Sequence, residues 1–153
     1  MKRDFDQLMG EVKQLHEKLV SMTPVTRESL GDCDYPGVYL FGEKGKNLYV
    51  GRTRGLKKRL LQHSRSRPEG ATFAFGLARK LTGNLKAVYN TGPKSRQGLM
   101  ENARFVAAFN QQRARIAQMD IRYVRVDDDT TQALLGIYTS TVLGTLHNEF
   151  RTT

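Results

Sequence analysis

The chain has 153 residues, a length that suits one ordinary domain better than two. Hydrophobic residues make up 39% of it and charged residues 26%, a balance typical of globular proteins and not of disordered chains. The apolar runs are too short to cross a bilayer and the N-terminus lacks the apolar core of a signal peptide, so we expect a cytoplasmic protein without membrane contact. Cys33 is the single cysteine, which excludes an intrachain disulfide and a cysteine-based zinc site.

The net charge of +10 at pH 7 favours a polyanionic partner, because each Lys or Arg that meets a phosphate releases condensed counterions. The distribution of this charge is more informative than its size. Residues 52–67 contain no acid. The basic residues of this segment are Arg52, Arg54, Lys57, Lys58, Arg59, Arg65 and Arg67. A helix that only needs solubility normally mixes charges of both signs, so the segment indicates an anion-binding surface.

The first half of the chain predicts a helix followed by a β-hairpin. Apolar residues at spacings of three and four predict a helix over residues 4–20, within a leading segment 1–30 that we expect to be accessory. This helix would serve either packing against the main domain or dimerisation. Residues 37–41 and 47–51 predict two short strands joined by a polar loop that contains glycine. A helical period begins at about Leu56 and carries basic residues on its polar side.

The middle of the chain is predicted to be helical, with polar connections. The polar stretch 64–70 indicates a loop, and a helix is predicted over residues 71–81. Residues 84–100 are polar and contain glycine, which predicts a loop with room for a short strand around 87–89. A longer helix is predicted over residues 102–117.

The last part of the chain predicts a strand and a closing helix. Residues 119–126 alternate between apolar and polar, as in a half-buried strand. The acids at 127–129 favour a helix start, where negative charge meets the helix dipole, and this helix should reach about Gly144. The fold class is therefore α+β, with a sheet of about three strands containing the hairpin 37–51, flanked by helices. Residues 31–153 would form the main domain.

Two short motifs lie on the predicted strands. Gly37-Val38-Tyr39 is on the first and Tyr49-Val50-Gly51 on the second, and a helix follows with Arg59 and His63 one turn apart. This arrangement resembles the GIY-YIG nuclease family, and the resemblance covers most of residues 36–150. The string Gly136-Ile137-Tyr138 lies inside a helical pattern without a partner motif, so we assign the first motif to residues 37–39.

The resemblance implies a role for each matched residue in hydrolysing a phosphodiester bond. Tyr39 would activate water. Tyr49 would take a supporting place next to the phosphate or the nucleophile. Arg59 would clamp the scissile phosphate, a task that suits a bidentate guanidinium. His63 would act as acid or base or hydrogen-bond Tyr39, and Asn148 would support the site. The residues expected to contact DNA phosphates are Arg52, Arg54, Lys57, Lys58, Arg65 and Arg67.

The expected metal ligand is missing from the sequence. Members of the family carry a glutamate on the last helix that coordinates a divalent ion, Mg²⁺ or Mn²⁺, and the family's spacing from Asn148 leads here to Gly136. Glycine has no side-chain oxygen for a hard cation, so metal binding should be lost or weakened. Inactivation of an otherwise intact nuclease, a degenerate copy that only binds, and another acid as ligand all remain open. The acids considered are Glu101, Asp127 and Glu149. We favour inactivation, because the other motif residues are all present.

The sequence therefore predicts a metal-dependent DNA endonuclease that is impaired as written. A single site would cut one strand, so either a monomer or a homodimer fits. The main alternative is a non-catalytic DNA-binding module derived from a nuclease. A basic protein bound to RNA or ribosomes would explain the charge but leave the paired tyrosine motifs as coincidence. A membrane-surface protein is the weakest alternative, because the leading helix mixes charges of both signs.

Overall fold

The computed structural model describes residues 3–65, 67–84, 92–93, 95–145 and 147–148. The elements are α1 (Phe5–Ser21), a 3-10 turn (Arg27–Ser29), β1 (Gly37–Glu43), β2 (Lys46–Thr53), α2 (Leu56–Arg65), α3 (Thr72–Thr82), α4 (Arg96–Met100), α5 (Ala103–Ala117), β3 (Asp120–Arg125) and α6 (Asp129–Leu143). The α+β class and the three-stranded sheet are confirmed. The predicted short strand at 87–89 lies outside the described residues.

The chain divides into two compact units. The first comprises Met1–Arg59 with Met119–Thr153, and the second comprises Leu60–Gln118. The first unit holds the sheet, α1 and α6, whereas the second holds α3, α4 and α5. A domain boundary near residue 30 stays a prediction.

The sheet of the first unit is antiparallel, with β1 between β2 and β3. The hairpin turn consists of Lys44 and Gly45, whose φ angles are 52° and 77°. Two residues with positive φ match the right-handed twist of the flanking strands, which is why short hairpins use such turns. The register places Tyr39 opposite Gly51 on one side and Tyr123 on the other.

One face of the sheet forms the core together with α1 and α6. Successive side chains of a strand point to opposite faces, so Val38 and Leu40 share a face while Tyr39 points to the other. The fully or nearly fully buried members of this core are Val12, Leu19, Val38, Leu40, Val50, Val124, Val126 and Leu135. Because Val12 and Leu19 are 0% exposed, α1 is part of this core. Of the two roles expected for the leading helix, packing is the one found here.

The helix α6 is held at its start, along its length and at its end. Asp128 caps its N-terminus and accepts hydrogen bonds from the Thr131 amide at 2.8 Å and from Arg3 at 2.8 Å. Bonds from the Thr131 hydroxyl, Arg3 and the Thr131 amide hold the pKa of the Asp128 carboxyl below its usual range. Along the helix, the buried His16 of α1 bonds the Thr139 hydroxyl at 2.9 Å. Gly144, in a left-handed conformation with φ 63°, ends α6 as the sequence predicts.

The second unit is helical. Phe75 of α3 meets Phe105 of α5 edge-on, with ring centroids 5.2 Å apart. The short helix α4 lies in a stretch that the sequence predicts to be a loop, so that prediction is wrong for Arg96–Met100. The Ser95 hydroxyl caps this helix by accepting from the Gly98 amide at 3.0 Å. Five residues are too few to show a helical period, which explains why the pattern missed it.

Candidate active site

The centre of the first unit's candidate site is the close approach of Tyr39 to Gly51 on the neighbouring strand. A Cβ built at Gly51 would overlap the ring and the hydroxyl of Tyr39. The Tyr39 ring therefore needs a residue without a side chain opposite it, and glycine is the only one. The first motif contains this tyrosine and the second contains this glycine. The structure shows that the tyrosine can pack here only if the opposite residue is glycine.

Arg59 reaches Tyr39 from the first turns of α2. The helix begins at Leu56, whose amide donates to the Tyr35 carbonyl at 3.0 Å and so anchors the helix near the start of β1. From this position the Arg59 guanidinium donates a hydrogen bond to the Tyr39 hydroxyl. The structure thus brings together the tyrosine and the arginine that the motif match singled out.

Tyr49 completes an aromatic group around Tyr39. The rings of Tyr39 and Tyr49 lie 6.5 Å apart, centroid to centroid, and Phe41 meets Tyr39 edge-on at 5.7 Å. In the register, Phe41 pairs with Tyr49, so all three side chains lie on one face of the hairpin. The tyrosine of the second motif therefore lies near that of the first, and its supporting role at the site stays a prediction.

The surroundings of Tyr39 determine its protonation. Its side chain is 1% exposed, and this burial raises the pKa of the phenol well above its usual range. The neighbouring Tyr49 raises the pKa further, while Arg59 opposes the shift through its charge and its hydrogen bond. Tyr39 is thus a neutral phenol at neutral pH. Any part it plays in activating water starts from the protonated form.

Asn148 is bound to the edge of β2 by a pair of hydrogen bonds. Its Oδ1 accepts from the Val50 amide at 2.9 Å, and its Nδ2 donates to the Val50 carbonyl at 2.7 Å. The Thr145 hydroxyl also donates to Oδ1, at 2.8 Å. The side chain therefore satisfies backbone groups of the strand directly beside Gly51. Sequence reasoning did not find Thr145, since a polar residue after a helix-ending glycine carries no specific signal.

A pocket opens where α6 passes the edge of β2, and Gly136 is part of its wall. The lining residues are Val50, Gly51, Arg52, Ala133, Gly136, Ile137 and Asn148, around a volume of about 250 Å³. A Cβ built at Gly136 would have no heavy atom within 4 Å. The position that the sequence picked for the missing glutamate thus faces open space, next to Asn148, Arg52 and Gly51.

The residues around this pocket do not fit a divalent cation. Magnesium and manganese prefer anionic oxygen ligands, and no carboxylate occurs among the residues that line the pocket. The amide oxygen of Asn148 is already engaged by Val50 and Thr145. In the described part of the chain, no group of three or more His, Cys, Asp or Glu side chains is placed to hold a metal ion.

The three acids considered as substitute ligands are placed differently. Asp127 pairs with Arg125 at 3.1 Å and does not line the pocket. Glu101 belongs to the second unit. Glu149 lies outside the described residues. Among the described residues, the first unit therefore offers no replacement ligand at this pocket.

The predicted DNA-contacting residues of the first unit lie at the end of β2, in the connection to α2 and in the first turn of α2. Arg52, Arg54 and Lys58 are exposed, and Lys57 is half-buried. Arg54 forms an ion pair with Asp129 at 3.1 Å, between side chains that are 84% and 62% exposed. Such a pair is weak in water, so it leaves Arg54 able to exchange Asp129 for a phosphate.

The remaining predicted residues belong to the second unit. His63 is fully buried and meets Phe73 edge-on, with ring centroids 6.4 Å apart. Arg65 and Arg67 are exposed, and the Arg65 carbonyl accepts a bond from Arg113. Their roles in catalysis and in DNA binding stay predictions.

Within the described residues, no helix is long and apolar enough to cross a bilayer. Comparisons with family models, with curated proteins and with solved structures give no significant match. The resemblance to GIY-YIG nucleases therefore depends on the motif residues alone.

Proposed function

We propose that the chain is a GIY-YIG-type phosphodiester hydrolase that acts on DNA, and that glycine at position 136 impairs its cutting step. One observation carries the proposal. Gly136 was singled out by its sequence distance from Asn148, and it lines the same pocket as Asn148, Gly51 and Arg52. The residue chosen by its spacing from Asn148 thus also lies close to Asn148 in the fold, and this supports the proposal.

Arg59 and Tyr39, neither of which lines this pocket, suit the binding of a phosphodiester. In hydrolysis a water oxygen bonds to phosphorus, and the bond from phosphorus to one sugar oxygen breaks while that oxygen takes up a proton. Arg59 would hold the phosphoryl oxygens and stabilise the charge that develops on them. Tyr39, neutral and bonded to Arg59, would hydrogen-bond the attacking water or the phosphate. The missing element is an anionic ligand at position 136.

The test is a nicking and cleavage assay of the Gly136→Glu variant with Mg²⁺ or Mn²⁺ on single-stranded, duplex and branched DNA. Metal-assisted activation of water is worth several kcal/mol, so we expect cutting at least about 100-fold faster than by the parent chain. The variant should fold, because a Cβ at 136 meets no heavy atom and glycine within a helix costs roughly 1 kcal/mol relative to alanine.

Two controls make this result specific. Gly136→Gln has nearly the same shape without the charge and should not cut. Gly136→Glu combined with Tyr39→Phe should lose the activity that the glutamate restores.

The second candidate function is a DNA-binding module without catalysis. It is favoured by the exposed Arg52 and Lys58 and by the absence of a carboxylate among the pocket's lining residues. If Gly136→Glu binds DNA but cuts none of the three substrates, this candidate replaces the nuclease.

A further inference from the structure

The pocket between α6 and the edge of β2 differs chemically from a phosphate site. All of its lining residues belong to the first unit. Val50, Ala133 and Ile137 contribute aliphatic surface, and Arg52 contributes the one cationic side chain of this lining. A phosphate has polar oxygens on every side and would leave the aliphatic wall without a partner.

The size of the pocket narrows the choice of ligand. Its volume of about 250 Å³ lies below the roughly 300–1,000 Å³ of pockets for drug-sized molecules. The volume exceeds by several-fold the roughly 30 Å³ that one water molecule occupies. A small organic ion of a few carbon atoms therefore fits, whereas a nucleotide does not.

The ligand must also match the space beside Gly136. A Cβ at this position would contact no heavy atom within 4 Å, so the backbone leaves the room that a side chain would otherwise take. The part of a glutamate side chain beyond Cα, which is Cβ, Cγ and the carboxylate, has the same carbon skeleton as propionate. A short-chain carboxylate would place its hydrocarbon part against Ala133 and Ile137 and its charge near Arg52.

We propose that this pocket binds a short-chain carboxylate such as propionate, in the space that a glutamate side chain at position 136 would fill. The consequence for DNA cutting rests on the proposed nuclease function, whereas the binding itself does not. The chain would then accept from solution the carboxylate that its own sequence lacks.

Binding is tested by titrating the full chain with sodium propionate and following its amide signals by NMR, against sodium chloride at matched ionic strength. We expect saturable shifts at the Gly136 and Arg52 amides, with a dissociation constant on the order of millimolar, as suits so small a ligand. Shifts no larger than those caused by chloride would overturn the proposal.

Two variants test whether the ligand occupies the proposed place. Gly136→Gln fills the space without charge and should abolish the propionate-dependent shift at Arg52. Arg52→Gln removes the cation and should weaken propionate binding about tenfold, the size expected for a lost charge-assisted hydrogen bond. Unchanged propionate binding by Gly136→Gln would show that the ion binds elsewhere.

A nicking assay with propionate then separates this proposal from the nuclease function. If propionate binds and raises the nicking rate of the parent chain about tenfold or more, but not that of Gly136→Gln, both are supported. If Gly136→Glu cuts DNA while propionate does not bind, the proposal of propionate binding is wrong and the nuclease function is supported. If propionate binds but neither propionate nor Gly136→Glu produces cutting, the pocket stands and the nuclease function fails.

Discussion

At the residue scale, Tyr39 and Gly51 depend on each other through direct contact. The Tyr39 ring lies where a side chain at Gly51 would have to be, and the hydroxyl of the same residue accepts the Arg59 hydrogen bond. Any side chain at position 51 must therefore displace the phenol that Arg59 contacts. The packing of Tyr39 therefore requires glycine at position 51, independently of any role in catalysis.

This dependence predicts the effect of Gly51→Ala. Forcing a methyl group into a packed space costs about 1–3 kcal/mol, so we expect the free energy of unfolding, measured by urea denaturation, to fall by that amount. Gly55→Ala is the matched control, because a Cβ at Gly55 meets nothing within 4 Å. Its unfolding free energy should stay within about 0.5 kcal/mol of the parent. Equal stability of the two variants would contradict the contact.

At the scale of elements, each outer edge of the sheet has one residue whose backbone groups are bonded by another segment. Asn148 binds the backbone of Val50 on the β2 edge. On the β3 edge, Val25 exchanges two backbone hydrogen bonds with Ile121, at 2.9 and 2.8 Å. Bare edges expose backbone groups that can pair with another chain, so these contacts protect the sheet. The Asn148 contact also holds β2 in place beside the pocket.

The Asn148 contact predicts the behaviour of Asn148→Asp. This change removes the Nδ2 donor and sets a carboxylate against the Val50 carbonyl, which should cost about 1–3 kcal/mol locally. Hydrogen exchange at the Val50 amide should therefore quicken roughly 10- to 100-fold. Asn47→Asp makes the same chemical change on the same strand and should leave the Val50 amide unaffected. Unchanged exchange in Asn148→Asp would mean that the side chain does not hold the strand.

At the scale of the whole molecule, the excess of positive charge should govern DNA binding. The net charge is +10, and Arg52 and Lys58 are exposed beside the candidate site. Long-range attraction of this kind steers a polyanion towards the protein and weakens as salt is added. Contacts to phosphates can be counted through the salt dependence of the affinity.

Replacing single basic side chains should change the salt dependence of DNA affinity by a defined amount. Arg52→Gln and Lys58→Gln should each reduce the slope of log affinity against log salt by about 1, the effect of losing one phosphate contact. Fluorescence anisotropy with a labelled DNA oligonucleotide measures this slope. Lys18→Gln changes the net charge equally on the exposed side of α1 and should leave the slope as it is. Identical slopes for all three variants would place the DNA elsewhere on the protein.

The sequence alone determined the elements that repeat a local pattern. Helical and strand periods depend on neighbours a few residues apart, so α1, α5, α6 and the hairpin were predicted close to their observed bounds. The short helix α4 was not predicted, because its five residues are too few to show a helical period. The paired motifs were also predicted to lie on two adjacent strands joined by a tight loop, and they do.

Only the tertiary structure decided what the site residues touch. Asn148 and Val50 are 98 positions apart in the chain, and no local pattern states that one binds the backbone of the other. The pocket beside Gly136 exists because α6 packs along the edge of β2, which depends on how the core closes around Leu135 and Val50. Such contacts arise from the joint packing of distant segments. For that reason the sequence supplied the candidate residues, and the fold decided which of them meet.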